Sequence, residues 1–160
     1  MSAPPAVLFM CLGNICRSPI AEGVARAESA RRGLDWRLDS CGTGAWHVGE
    51  PPDPRSVAVA RRHGVDIAAQ RARQLAASDF ADFDWIVAMD RSCLDTAQRR
   101  APRAARARLV PFMPFVPDAP EPDVPDPYYG GPEGFQRVWD LLHAGMPRLF
   151  DAVLAEVTRR

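Results

Sequence analysis

The chain has no lysine: all 20 of its basic residues are arginine, and 20 acidic residues balance them. The all-arginine usage reads as codon bias and not as chemistry. With no net charge, no overall field favours nucleic acid or an anionic membrane surface. Cysteine is scarce. Cys11, Cys16, Cys41 and Cys93 include no C-x-x-C pair, and His47, His63 and His143 are scattered, so no zinc pattern is present. Long hydrophobic runs are also missing. Met1 to Pro5 has no basic start, and Ala6 to Met10 is too short for a signal-peptide core. No stretch approaches the ~20 apolar residues of a membrane span. These absences predict a cytoplasmic protein with reduced thiols, no structural metal and no membrane association.

What is present suits one soluble domain. The 160 residues are 47% hydrophobic and 25% charged, enough to bury a core without disulfides. Ala6–Met10 reads as a strand, Gly13-Asn14 as a tight loop, and Ser18-Pro19 as the cap and first position of a helix that Gly33 ends. Trp36–Ser40 is expected to be a second strand. Arg55–His63 is expected to be a helix closed by Gly64, and Phe83–Met89 a third strand. Ser92 is expected to cap a helix reaching Arg100, and Leu109–Phe112 to form a fourth strand. A Pro- and Asp-dense stretch over 114–134 follows. Phe135–Val157 then shows helical periodicity, with Pro147 expected to kink or split it. Alternating strands and helices predict a doubly wound α/β fold over residues 1–160: a four-stranded parallel sheet, helices on both faces, and residues 1–5 as a flexible tail. Ligands of such sheets bind beyond the strands' carboxyl ends, which makes the loop after strand one the expected site.

That loop is Cys11-Leu12-Gly13-Asn14-Ile15-Cys16-Arg17-Ser18. A cysteine six positions before an arginine is weak evidence alone; its place between a strand and a helix supplies the specificity. Gly13 and Asn14 tolerate positive φ and let the backbone curl. The inward N–H groups, added to a helix N-terminus, make a phosphate-sized anion cradle. Arg17 can grip two phosphate oxygens with its planar fork. The same potential and the Ser18 hydroxyl favour a Cys11 thiolate, with its pKa expected below the free value of about 8.5. Such a thiolate suits in-line attack on phosphorus. A nucleotide P-loop is excluded because no Gly-Lys precedes Ser18. A structural reading would make Cys11 a small buried hydrophobe and Arg17 a surface residue. A leaving alkoxide or phenoxide needs a protonated carboxyl. Asp53, Asp90, Asp118, Glu121, Asp123 and Asp126 are all candidates, and spacing does not choose among them.

The segment Val7–Pro19 resembles the signature of the low-molecular-weight protein tyrosine phosphatases. The resemblance continues through Asp39-Ser40, Gly49–Asp53, Arg62–Gly64, Ala88–Ser92 and Asp126–Gly130. It implies hydrolysis of phosphotyrosine and aryl phosphates through a phosphocysteine on Cys11. Asp126 then serves as acid and afterwards as base on water, and no metal or organic cofactor is needed. It also implies that Tyr128 and Tyr129, the chain's only tyrosines, border the site and are themselves phosphorylation targets, with Trp46 as the opposite wall. Leu12 and Ile15 join Trp46 in shaping leaving-group preference. Asn14, Ser18 and Ser40 match a hydrogen-bond network beneath the loop. Many relatives add a His near Ala69-Gln70, which this chain lacks. Asp90, beside the same mouth, is assigned a structural role. Cys16 is expected to act as a resolving thiol that condenses with oxidised Cys11. The implied partners are a phosphotyrosine protein, such as a bacterial tyrosine kinase, and phosphate or vanadate as inhibitory anions. A monomer is the default.

Three other readings compete. Hydrolysis of a small phosphorylated molecule needs the same machinery. An arsenate reductase needs a downstream cysteine pair, and no cysteine follows Cys93. A non-catalytic phosphopeptide-binding module would be expected to lack the nucleophile, the arginine or the acid.

Overall fold

The computed structural model describes residues 3–159. Four strands, β1 (Ala6–Cys11), β2 (Arg37–Gly42), β3 (Trp85–Ala88) and β4 (Arg108–Pro111), form one parallel sheet in the order β2-β1-β3-β4. Strand order therefore reverses at β1, and the cleft of such a sheet opens beyond its carboxyl end. Successive β1 side chains point to opposite faces. Val7, Phe9 and Cys11 enter one core; Ala6, Leu8 and Met10 enter the other. Both faces are buried, so β1 reads as an unbroken apolar run instead of an alternating one.

The first core packs helices α1 (Arg17–Arg31), α2 (Pro54–Arg62) and the long C-terminal α5 (Pro132–Thr158) against the sheet. The second holds Phe80 from the short α3 (Asp79–Asp82) and Cys93 and Ala97 from α4 (Arg91–Arg100). The doubly wound α/β expectation therefore holds. No described helix is long and apolar enough to cross a membrane.

Several local expectations are corrected. Ser18 does not cap α1. The N-cap is Cys16, without a side-chain bond, because the Ser18 hydroxyl is engaged by Cys11 and Asn14. Asp90, not Ser92, caps α4, accepting the Cys93 N–H at 2.7 Å. Asp53 caps α2 by accepting the Arg55 N–H, and Pro54 takes the first helical position. Of the two outcomes expected at Pro147, the split does not occur: α5 runs unbroken from Pro132 to Thr158. Apolar packing of Leu141, Leu142, Met146, Leu149 and Phe150 holds it on both sides of the proline. α3 and a 3₁₀ turn at Met113–Phe115 lie outside the elements read from periodicity. Of the expected tail, Met1 and Ser2 lie outside the described residues; Pro5 extends the ladder, its carbonyl accepting the Arg37 N–H at 3.0 Å.

Candidate active site

The loop after β1 curls around the Cys11 sulfur. Asn14 sits in the left-handed region at φ +58°, a conformation Asn adopts with little cost. This turn brings the Asn14 N–H to 3.3 Å from Cys11 Sγ. The next strand supports it. Thr43 and Gly44 N–H groups bond the Cys11 and Leu12 carbonyls, and a Cβ on Gly42 would lie 2.8 Å from the Leu12 oxygen. Only glycine at 42 allows backbone and loop to approach that closely.

Beneath the loop, one buried chain of hydrogen bonds fixes the direction of each donor. The Arg73 N–H donates to Asn14 Oδ1 at 3.0 Å. The Asn14 amide is thereby oriented, and its Nδ2 donates to Ser18 Oγ at 2.7 Å and to Ser40 Oγ at 3.0 Å. Ser40 Oγ donates to Glu22 Oε1 at 2.9 Å. Ser18 Oγ accepts from Asn14, and its own proton lies between Cys11 Sγ at 3.0 Å and the Cys41 carbonyl at 3.4 Å, the sulfur being the nearer. The sulfur thus faces two donors, an arrangement suited to an anion.

The network therefore closes without a histidine. Gln70 does not join it; its Nε2 bonds the Pro19 carbonyl. The closing groups are Glu22 and the Arg73 main chain. Glu22 was not foreseen, although it stands four residues after Ser18 and so on the same helix face. Burial raises its carboxyl above the ordinary value, more than the hydrogen bonds from Arg26 and Ser40 lower it. A carboxyl whose folded pKa is raised destabilises the fold when ionised, and that cost is relieved as pH falls. Glu22→Gln retains an acceptor for Ser40 and removes the titration. The stability of wild type relative to this variant should therefore rise as pH is lowered from about 7 to about 5. Chemical denaturation at both pH values checks this; a difference that is flat or moves the other way contradicts it.

Arg17 is 3% exposed and rigidly aimed. Its NH1 donates to Asp90 Oδ2 at 2.7 Å and to the Val124 carbonyl at 3.1 Å, and the residue lines the cleft with NH2 toward Asp126. Burial pushes the Asp90 carboxyl up, but the Cys93 N–H and Arg17 outweigh it and hold it below the usual range. Asp90 thus joins the α4 cap to the direction of Arg17, more than the structural part assigned from sequence.

The Pro/Asp-dense stretch is anchored to the sheet. The Val124 N–H bonds the Met89 carbonyl at 2.9 Å, just beyond β3, and the Asp123 carboxylate accepts the Arg91 N–H at 2.9 Å. This anchoring delivers Asp126 to the mouth. Its Oδ1 accepts the Tyr128 N–H at 3.1 Å, and its Oδ2 lies 3.8 Å from Arg17 NH2. Arg55 ties the same segment to α2, donating to the Tyr128 carbonyl at 3.0 Å, the Gly130 carbonyl at 3.3 Å and the Asp53 carboxylate. The Asp53 N–H in turn bonds the Ile15 carbonyl, so both halves of the site share one support.

A cleft of about 310 Å³ results, lined by Cys11, Leu12, Gly13, Ile15, Cys16, Arg17, Trp46, His47, Asp126, Tyr128 and Tyr129. Of the residues singled out from sequence, Asn14, Ser18 and Ser40 lie beneath the loop and not in the cleft wall. His47 is an addition. It packs over Gly13, where a Cβ would sit 3.1 Å from its ring, and it is paired with Glu50. Its position beside Trp46 was the available signal. All four cysteines are free thiols and buried. Burial first, then Asp53 and Cys11, push the Cys16 thiol up to about 12. Burial likewise raises Cys41 and Cys93. Among the described residues, no cluster of His, Cys, Asp or Glu could hold a metal ion.

The fold and site define a class: a doubly wound α/β protein whose cleft opens on the loop after β1, with a buried arginine fixed beside the loop cysteine. Comparison with known proteins is specific. The family model for low molecular weight phosphotyrosine protein phosphatase matches residues 6–159. The chain is 49% identical over 132 residues to the Schizosaccharomyces pombe protein of that name, covering 81% of this chain and 84% of that one. It is 38% identical to the low molecular weight protein-tyrosine-phosphatase YfkJ of Bacillus subtilis, covering 94% and 97%. A protein tyrosine phosphatase from Entamoeba histolytica superposes with a TM-score of 0.90 at 34% identity, covering 95% of this chain and 98% of that one. The chain belongs to the low molecular weight phosphotyrosine protein phosphatase family, and its enzyme class, protein tyrosine phosphatase, is that of the family.

Proposed function

We propose that the chain hydrolyses phosphotyrosine and other aryl phosphate monoesters through a phosphocysteine on Cys11. The observation that carries this is the setting of the Cys11 sulfur: Ser18 Oγ at 3.0 Å and the Asn14 N–H at 3.3 Å point at it from inside a loop that also ends in Arg17. The Cys11 thiolate attacks phosphorus and forms an S–P bond while the P–O bond to the leaving group breaks. Protonated Asp126 gives its proton to the departing oxygen. The resulting carboxylate takes a proton from water, whose oxygen attacks phosphorus. The S–P bond breaks, inorganic phosphate leaves, and the thiolate returns. Arg17 and the loop N–H groups hold the equatorial oxygens throughout, so the electrostatic stabilisation comes from the chain itself. Leu12, Ile15, Trp46, Tyr128 and Tyr129 form walls for the aromatic leaving group. Phosphate and vanadate compete for the same cradle. The substrate is a phosphotyrosine protein in the cytoplasm, and a bacterial tyrosine kinase fits that description.

Hydrolysis of p-nitrophenyl phosphate in EDTA, from about pH 5 to about pH 8, tests the proposal. Turnover independent of metal supports it. No turnover by fresh, thiol-reduced protein overturns it and brings arsenate reduction or phosphopeptide binding forward.

Cys16 adds a redox role. Peroxide converts the Cys11 thiolate to a sulfenic acid, which condenses with the Cys16 thiol to a disulfide and releases water. The raised Cys16 pKa keeps it out of the attack on phosphorus; its condensation with the sulfenic acid needs the thiolate and is therefore slow at neutral pH and faster as pH rises. After peroxide treatment and then dithiothreitol, wild type should recover most of its activity and Cys16→Ser several-fold less. Equal recovery contradicts this role.

A further inference from the structure

We infer that the rim of the cleft is a docking surface for apolar side chains flanking the phosphotyrosine of a protein substrate, an inference that rests on the proposed hydrolysis of phosphotyrosine at Cys11. The large hydrophobic residues exposed among the described ones are Leu12, Trp46, Val48, Tyr128 and Tyr129. Four line the cleft, and Val48 lies on the Trp46 loop. A single exposed apolar residue is ordinary, but the gathering of all of them around one mouth marks a binding surface.

An aryl phosphate seated on the loop meets only the inner faces of the four that line the cleft. Tyr129 is 94% exposed and Trp46 72%, so much of each ring lies outside the pit. Covering them takes a ligand that continues past the tyrosine ring, as a polypeptide does. The surface is also preorganised. Trp46 folds over the Gly44 backbone, where a Cβ would run into its ring, and Tyr128 and Tyr129 pack edge-on at 4.9 Å. These contacts reduce the side-chain freedom that Trp46 and Tyr128 lose on binding.

Charge selects the apolar class over the acidic one. The two basic side chains of the cleft wall have carboxylate partners, Arg17 with Asp90 and His47 with Glu50, as does Arg55 behind Tyr128 with Asp53. Asp126 and Glu50 add exposed carboxylates at the same rim. An acidic flanking residue faces like charge beside Asp126 and Glu50.

The test compares two phosphotyrosine peptides of equal length, one with leucine and phenylalanine beside the phosphotyrosine and one with glutamate there. The kcat/KM of each is measured near physiological salt, with p-nitrophenyl phosphate in parallel. The apolar peptide should be preferred about tenfold, equivalent to ~1.4 kcal/mol, and Val48→Asp should lower that preference several-fold. If p-nitrophenyl phosphate is hydrolysed but the peptides are equal, or the acidic one is better, the docking surface is refuted and the activity stands. If p-nitrophenyl phosphate is not hydrolysed, the activity itself fails and the docking surface with it. If sedimentation finds a dimer at assay concentration that Val48→Asp dissociates, and no peptide preference is seen, the rim is covered by a second copy and the inference is refuted.

Discussion

Replacing Cys11 with serine is expected to reduce aryl phosphate turnover by at least ~10⁴-fold while phosphate affinity stays near that of wild type. The two halves of this result have separate causes. A serine hydroxyl at neutral pH is a poor nucleophile without a base to take its proton. The one histidine in the cleft wall, His47, is paired with Glu50 and sits over Gly13 at the rim, so it does not replace that base. The anion cradle depends on other atoms. Asp90 and the Val124 carbonyl still aim Arg17, and Arg73 still orients Asn14. Steady-state hydrolysis and phosphate titration by calorimetry read the two effects independently. Turnover within tenfold of wild type would remove Cys11 from the nucleophile's role. Loss of phosphate affinity together with turnover would mean that the thiol shapes the cradle.

Asp126→Ala is the second large effect, and its size should depend on the substrate. A positioned acid contributes about 10²- to 10⁴-fold, realised when the leaving oxygen needs a proton. Phenyl phosphate should therefore lose on the order of 10²-fold or more, while a substrate with a strongly electron-withdrawn leaving group should lose far less. The geometry gives a reason to choose Asp126 among the acidic candidates. Asp53 is held by Arg55, Asp90 by Arg17 and the Cys93 N–H, Glu121 by Arg137 and Asp123 by Arg91, and Asp118 does not line the cleft. Asp126 lines the cleft and keeps Oδ2 toward Arg17 at 3.8 Å, with only Oδ1 tied to its own loop. A series of phenyl phosphates of graded leaving-group acidity measures the dependence. Equal losses across the series would assign Asp126 to packing.

The sheet and its switch point were legible because β1 carries its own evidence: an apolar run, then Gly13-Asn14, then a helix start. Two dense cores force both strand faces to be apolar, and that pattern survives in one dimension. The cap assignments failed for a physical reason. Ser18 has the right chemistry for an N-cap, but its hydroxyl is turned under the loop to Cys11 and Asn14. Asp90 and Ser92 both suit a cap, and Asp90 holds α4 and Arg17 with its two oxygens. Local propensity cannot weigh such long-range claims on one side chain. The same holds for the network's closure. Arg73 contributes a main-chain N–H, which has no residue signature, and Glu22 gains its meaning only when β2 brings Ser40 to it. Asp126 was chosen by resemblance, since the Val124–Met89 and Arg55–Tyr128 bonds that place its loop span many residues.

The central claim is a phosphoryl group carried on Cys11. Rapid mixing of the Asp126→Ala variant with an activated aryl phosphate, acid quenching and peptide mass spectrometry measure it directly. With water activation impaired, the phosphoenzyme should accumulate. One phosphoryl group should appear on the peptide containing Cys11 and Cys16, persist in an added Cys16→Ser background, and vanish in Cys11→Ser. Leaving-group release with no phosphorylated cysteine, or a label that survives Cys11→Ser, would contradict the account.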